Sequence, residues 1–324
     1  MAVLEMRDVS LTYHPAEGPV PAVRGVNLSV AAGEVVGVAG ESGCGKSTLI
    51  STVLRLYPKS ATVEGEVLVD GENVFDMKWN RMRAVRWGQA AVVFQGALHS
   101  LNPIQRIGKQ LSEPILVHDK GATEASAMKK VRELLDQVGL PTRHANAYPH
   151  QLSGGQKQRI MIALALTCDP SVLLCDEPTT ALDVMVQAQI LDLLKGIARE
   201  RSMGMLIISH DLSVLASNCD RIAIMYAGRV VEQGIAGELF AQPAHPYTRA
   251  LMGAFPTIGD VESRYSPSGL AGDPPFPGDL PSGCSFHPRC PIATDECADA
   301  DVVLKDVGPS RRVACIHVEQ GAVV

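Results

Sequence analysis

Gly40-Glu41-Ser42-Gly43-Cys44-Gly45-Lys46-Ser47-Thr48 is the stretch that decides how the rest of this chain is read. Its glycines at 40, 43 and 45 let the backbone curl so that successive N–H groups, with Ser42 and Cys44 between them, turn inward toward an anion. Lys46 then brings a mobile positive charge to phosphate oxygens, and the Ser47 hydroxyl suits a magnesium ion. The flanks agree. Glu34 to Ala39 reads as a short apolar strand and Thr48 to Leu54 as the start of a helix, whose N-terminus adds its partial positive charge. A glycine-rich turn that binds nothing is the competing reading, and the strand before it and helix after it argue against that.

With 324 residues the chain has room for two domains. Its 46% hydrophobic and 20% charged residues exclude global disorder. A net charge of -6 argues against a broad nucleic-acid-binding face. Met1 to Ser10 alternates apolar and charged residues rather than following a basic stretch with an apolar core, and no apolar run reaches bilayer length. These features predict a cytoplasmic protein whose membrane role comes through a partner. The eight cysteines divide unevenly: Cys284, Cys290, Cys297 and Cys315 crowd the last segment. Cytoplasmic proteins rarely use disulfides, so this group reads as a metal or iron–sulfur site.

Further along, alternation predicts strands at Val3–Val9 and Ala22–Val30, with Tyr13 at the first strand's end, where an aromatic covers a sheet edge or stacks on a base. Glu64–Val69 and the turn Asp70-Gly71 follow. A buried strand over 90–94 stops at Gln95. Met128, Val131, Leu134, Leu135 and Val138 recur at spacings of three and four, which predicts an amphipathic helix over about 123–138, closed by Gly139 and Pro141. Residues 97–160 thus read as an all-helical insertion in an α/β domain. Ser153, Gly154, Gly155 and Gln156 open the next apolar helix and offer either a second anion site or an ordinary N-cap. Val172–Cys175 is an apolar strand ending in Asp176-Glu177, two acids that burial penalises unless they serve a cation or a reaction. Asp183 opens a helix that buries Leu191, Leu194 and Ile197, and Met205–Ile208 is a last buried strand, ending at Ser209-His210.

Taken in order, Gly40–Thr48, Gln95, Leu152–Gln156, Asp176-Glu177, Ala181-Leu182-Asp183 and His210 resemble the nucleotide-binding subunit of an ABC transporter over residues 1 to about 235. The resemblance implies an α/β fold, a P-loop ATPase core with a mixed sheet and an antiparallel N-terminal β subdomain (1–96 and 161–235), plus a helical subdomain (97–160). It implies ATP and Mg²⁺ as cofactors. Lys46 and the loop backbone would hold the phosphates, Ser47 and Gln95 the Mg²⁺, and Asp176 its water shell. Glu177 would polarise the attacking water, His210 would contact the γ-phosphate, and Tyr13 would stack on adenine. Ser153 to Gln156 would face phosphates bound by a second ATPase subunit.

Two segments, Gln95–Pro103 and His245–Leu251, are similar to the dipeptide/oligopeptide/nickel importer group. So is the tail, where five, six and seventeen residues separate the four cysteines behind a Pro/Gly-rich linker over 256–283. In that group the tail carries a [4Fe–4S] cluster in some members; zinc, held by the four cysteines or by three of them with His287 or His317, is the alternative, as is no metal. The C-terminal extension, 236–324, is expected to be small and irregular. The resemblance implies two transmembrane permease subunits, a paired ATPase of the same or a paralogous chain and an extracytoplasmic binding protein as partners, with this chain peripheral at the cytoplasmic face of the membrane. The transported solute touches those partners, so peptide, nickel and oligosaccharide stay open. Two other readings compete: a soluble ABC-type ATPase acting on nucleic acid or the ribosome, which the acidic balance opposes, and a redox or metal sensor built on Cys284–Cys315.

Overall fold

The computed structural model describes residues 1–96, 100–180, 182–253, 270 and 272–318. Its first layer is antiparallel. Strands β1 (Ala2–Tyr13) and β2 (Val20–Ala31) pair along most of their length. The second layer begins with β3 (Val35–Ala39), all five residues of which are buried. Helix α1 (Lys46–Val53) follows the glycine loop directly, starting two residues earlier than the apolar pattern indicates. β4 (Thr62–Val69) and β5 (Glu72–Asn73) complete the antiparallel sheet in the order β2-β1-β4-β5. The turn between them sets Asp70 at φ 48° and Gly71 at φ 81°, the pair of left-handed residues that a tight hairpin needs.

Helix α2 (Trp79–Gly88) leads to β6 (Ala90–Val93), which stops one residue short of the expected strand because Phe94 turns outward and is exposed. The insertion is helical as expected. It holds α3 (Ile107–His118), α4 (Glu124–Gln137), two short 3-10 turns and the start of α5 (Gly154–Ala165), which runs on into the core past residue 160. Thr123 caps α4 by accepting from Ser126 N–H, and Val131, Leu134 and Leu135 form its buried stripe; Met128 lies at the stripe's edge.

β7 (Val172–Asp176), α6 (Val184–Glu200), β8 (Gly204–Ile208), α7 (Leu212–Asn218) and β9 (Arg221–Tyr226) complete the nucleotide core. Five parallel strands lie side by side in the order β9-β3-β8-β7-β6. They are buried and almost wholly apolar because both faces are covered, one by helices of the insertion and core and the other by α1, α2 and the antiparallel layer. β10 (Arg229–Ile235) folds back on β9. α8 (Ala236–Ala241) and α9 (Pro246–Gly253) follow, with Leu239, Tyr247 and Leu251 in the main core.

The tail is more regular than its sequence suggests. After α10 (Glu296–Asp299), strands β11 (Lys305–Gly308) and β12 (Arg311–Val313) pair with one another, and β12 pairs with β10. The sheet of the nucleotide core therefore continues into the C-terminal extension, giving eight strands in all. Glu232 fastens this junction. Its carboxylate has no exposure and accepts from Arg311 Nη2 at 2.6 Å, Ala244 N at 2.9 Å and His245 N at 2.9 Å. Arg311 Nε donates to it as well, at 2.9 Å, and a buried charge with four donors is satisfied rather than penalised.

Candidate nucleotide site

The carboxyl ends of four neighbouring parallel strands, β3, β8, β7 and β6, carry the polar motifs, which is where ligands bind in open α/β sheets. β3 delivers the glycine loop. Gly40 has φ 153° and Gly45 φ 103°, and a Cβ on them would lie 2.2 Å from Met225 O and 2.1 Å from Ala22 O, so no other residue fits either place. Lys46 is buried, and its ammonium donates to the carbonyls of Gly40 at 2.8 Å and Glu41 at 2.9 Å. Cys44 is a packed core thiol within the loop, and burial pushes its pKa up despite the ammonium beside it. Ser42 and Gly43 are exposed at the loop's rim.

Ser47 Oγ donates to Asp176 Oδ1 at 3.0 Å, joining the loop to the end of β7. Burial raises the Asp176 pKa, with the Ser47 hydrogen bond opposing it and the charge of Glu177 reinforcing it. A carboxylate so placed gains from a cation. Glu177 leaves the sheet at φ 46°, a left-handed conformation that costs on the order of 1–3 kcal/mol for a residue with a side chain. Its N–H still donates to Ile208 O at 3.2 Å, so the strained residue is held to β8. One oxygen of Glu177 collects three neighbours. Gln95 Nε2 donates to Oε2 at 2.8 Å, Thr180 Oγ1 donates to it at 2.9 Å, and His210 Nδ1 lies 3.7 Å away.

The sequence-derived set is thus divided. Lys46, Ser47, Gln95, Asp176, Glu177 and His210 come together at one end of the sheet. Tyr13 lies beside them, with its hydroxyl 3.4 Å from Thr48 Oγ1 and its ring packed on the antiparallel layer's core. Ser153, Gly154, Gly155 and Gln156 stand apart. Ser153 caps α5 by accepting from Gln156 N–H, and Gln156 Oε1 accepts from Ser153 N–H at 3.0 Å, a closed box with no hydrogen bond to the glycine loop. Gly155 is needed there because a Cβ would come within 2.9 Å of Val186 Cγ1. Asp183 caps α6 through Val186 N–H, while Ala181 lies outside the described residues, as do 97–99 of the Gln95–Pro103 segment and 256–269 and 271 of the linker.

The four tail cysteines line one small cavity. Burial raises the thiol pKa of Cys284, Cys290 and Cys315, and their mutual proximity adds to it. Cys297 Sγ meets His317 Nε2 at 3.3 Å. Among the described residues, however, no group of three or more His, Cys, Asp or Glu side chains is arranged to hold a metal ion. The expected four-thiolate centre is therefore met in convergence but not in ligand geometry. Physically, protonated thiols have no reason to close up on one point, since the charge that draws four sulfurs together belongs to the metal.

Three contacts at the site have no counterpart in the sequence reading. Thr180 is one. The others come from the tail: Tyr247 OH accepts from Glu41 N–H at 2.9 Å, and Arg289 pairs with the Glu41 carboxylate across 248 positions of sequence. His245-Pro246-Tyr247 reads locally as a helix start and nothing more, and no local pattern couples Arg289 to residue 41.

Such a site on such a sheet defines the P-loop ATPase class. The chain matches the ABC transporter family model over residues 23–180 and the oligopeptide/dipeptide transporter C-terminal region over 231–297. It belongs to the oligopeptide/dipeptide group of ABC transporter ATP-binding proteins, and it is an ATPase. It is 42% identical over 323 residues to the probable peptide ABC transporter ATP-binding protein y4tR of Sinorhizobium fredii, covering 97% of this chain and 94% of that one. It is 40% identical over 316 residues to the oligopeptide transport ATP-binding protein OppD of Escherichia coli, covering 97% and 93%. Among solved structures, the dimeric ABC transporter cassette MJ0796 superposes with a TM-score of 0.64 at 33% identity, covering 72% of this chain and 98% of that one. The same cassette is known in a dimeric post-hydrolysis state bound to ADP and Pi, which superposes equally well. Among the described residues no helix is long and apolar enough to cross a membrane.

Proposed function

We propose that this chain hydrolyses ATP to power the import of di- or oligopeptides through a membrane complex. The observation that carries the reading is the gathering of Gln95, Thr180 and His210 around Glu177 Oε2, next to the Ser47–Asp176 pair. Phosphoryl transfer needs positioned donors, charge neutralisation and one water-orienting group, and little covalent chemistry. Lys46 and the N–H groups of the loop bind the phosphates. Ser47, Gln95 and Asp176 would hold Mg²⁺, which would neutralise phosphate charge. Glu177 accepts a proton from the attacking water, His210 orients the γ-phosphate, and Tyr13 meets the base.

Half of each site comes from elsewhere in this reading. The Ser153–Gln156 cap makes no hydrogen bond to the chain's own loop, which suits a role toward phosphates bound by a second ATPase subunit. Val184 and Met185, exposed where α6 begins, give that pairing an apolar surface. Exposed Phe94, just after β6, and Ile104, in the insertion, support a docking surface for the membrane subunits there, with the protein peripheral at the inner face of the membrane. The working units are then 1–96 with 161–235, 97–160 and 236–324. The four tail thiols hold a [4Fe–4S] cluster or zinc, a reading that rests on their shared cavity. Iron and acid-labile sulfide in protein purified without oxygen support the cluster; zinc alone supports the alternative, and neither refutes both.

The decisive test is reconstitution. Co-expression with two polytopic permeases and a peptide-binding protein gives a complex whose ATPase rises when peptide-loaded binding protein is added. A chain that associates with no membrane subunit, or whose ATPase answers to DNA or ribosomes instead, overturns the reading.

A further inference from the structure

Glu41 is an anomaly in an anion site. It lies inside the glycine loop, and an ionised carboxylate there repels a triphosphate. The fold answers this charge from the far end of the chain. Arg289 Nη1 donates to Glu41 Oε2 at 2.7 Å and Nη2 donates to Oε1 at 3.0 Å, a two-bond fork across a pair whose arginine side chain is only 7% exposed. The guanidinium is itself fixed. It reaches Tyr226 OH at 3.3 Å and Gly272 O at 2.9 Å, and it lies over the Tyr226 ring.

The same loop residue is gripped twice more. Its N–H donates to the hydroxyl of the fully buried Tyr247, and its carbonyl accepts from Lys46 Nζ. Tyr247, Tyr226 and Phe286 pack ring against ring, with centroids 4.6 to 5.4 Å apart, so the clamp on Glu41 is continuous with the cysteine segment. Arg289 stands directly beside Cys290 in sequence.

We propose that Arg289 is a positioning residue for the nucleotide site. It neutralises Glu41 and keeps that carboxylate turned from the phosphates, so the tail sets the affinity of the loop for ATP. Arg289 acts through Glu41, the carboxylate that its two hydrogen bonds hold. The inference rests on reading Gly40–Thr48 as the phosphate loop.

The test is equilibrium binding of the non-hydrolysable analogue adenosine 5′-(β,γ-imido)triphosphate to the full chain. Arg289→Met is expected to weaken binding roughly five- to tenfold, with the loss shrinking at high salt, as one uncovered charge near the phosphates dictates. Arg289→Lys, which keeps the charge and loses the fork, stays within about twofold of the parent. The telling variant is Arg289→Met/Glu41→Gln. Removing the carboxylate restores the affinity if Arg289 acts by neutralising it, whereas a purely architectural role leaves the double variant as weak as the single one. If Arg289→Met does not fold, Arg289→Gln with and without Glu41→Gln gives the same comparison. Parent-like binding by the single variant, or no recovery in the double, overturns the proposal. Lys46→Ala separates the two levels: if it binds as the parent does, the phosphate-loop reading falls and takes the proposal with it, whereas lost binding alongside an unaffected Arg289→Met sinks the proposal alone.

Discussion

Gln95 Nε2 and Glu177 Oε2 are joined by a 2.8 Å hydrogen bond that ties the end of β6 to the end of β7. The bond, with the Thr180 hydroxyl on the same oxygen, fixes the orientation of the carboxylate. Glu177→Gln preserves the shape and removes the proton acceptor. ATP binding should persist while turnover in the assembled complex falls by about 10²- to 10⁴-fold, the range general-base catalysis supplies. Equal steady-state rates for variant and parent would remove Glu177 from the chemistry.

Ser153 and Gln156 satisfy one another at the start of α5 and make no bond to the loop of their own chain. Ser153→Arg should therefore leave analogue binding by the isolated chain within about twofold while cutting ATPase in the assembled complex at least tenfold, in line with the loss of one transition-state donor. An isolated chain that no longer binds nucleotide would contradict the division of the site between two subunits.

Arg311 and Glu232 hold the tail to the core sheet. Removing only the arginine strands a buried carboxylate, and Arg311→Met should lower unfolding free energy by about 3 kcal/mol, measured by urea titration. Adding Glu232→Gln should recover part of the loss. A single variant as stable as the parent would mean that the pair holds nothing together.

His245 gives the fold a pH dependence of known sign. Burial pushes its pKa down to about 4. Its Nδ1 accepts from Tyr247 N–H, its main-chain N–H donates to Glu232, and that carboxylate is matched by Arg311. Between about pH 4 and 6.5 the unfolded chain holds the proton that the folded chain refuses. Stability therefore rises with pH through this window, is fully present above pH 6.5, and declines by about 3 kcal/mol as pH falls toward 4. His245→Asn retains an acceptor and should flatten that slope in denaturation series at pH 7.5 and 5. An unchanged slope would assign the acid sensitivity to other groups.

The nucleotide half was legible because each motif terminates a fully apolar run. Gly40 and His210 follow buried strands and Asp176 ends one, and α4 announces itself through Val131, Leu134 and Leu135 at helical spacing. The tail was not legible. β11 and β12 are four and three residues long and rich in charge, as in Lys305-Asp306 and Arg311-Arg312, so no apolar period marks them. Their pairing is specified from the far side, by Glu232. The β9–β10 hairpin also escaped notice, because its turn sets Ala227 at φ 46° before Gly228 at φ 81°, and alanine conceals a position where Asp70 in the matching turn reveals one. Arg289 and Glu41 were unreadable for the plainest reason, their separation along the chain.

The strand that the tail lays on β10 also guards it. A chain ending after Ile235 would keep every nucleotide motif yet bare one side of β10, leaving N–H and C=O groups, and Glu232 among them, without their partners. An uncapped sheet margin of that kind is a template for pairing with another molecule. Such a shortened protein should self-associate as its concentration rises, visible by light scattering, unless another segment seals the edge. The extension is then a chaperone in cis: whatever else it binds, it keeps the ATPase sheet from growing by the addition of strangers.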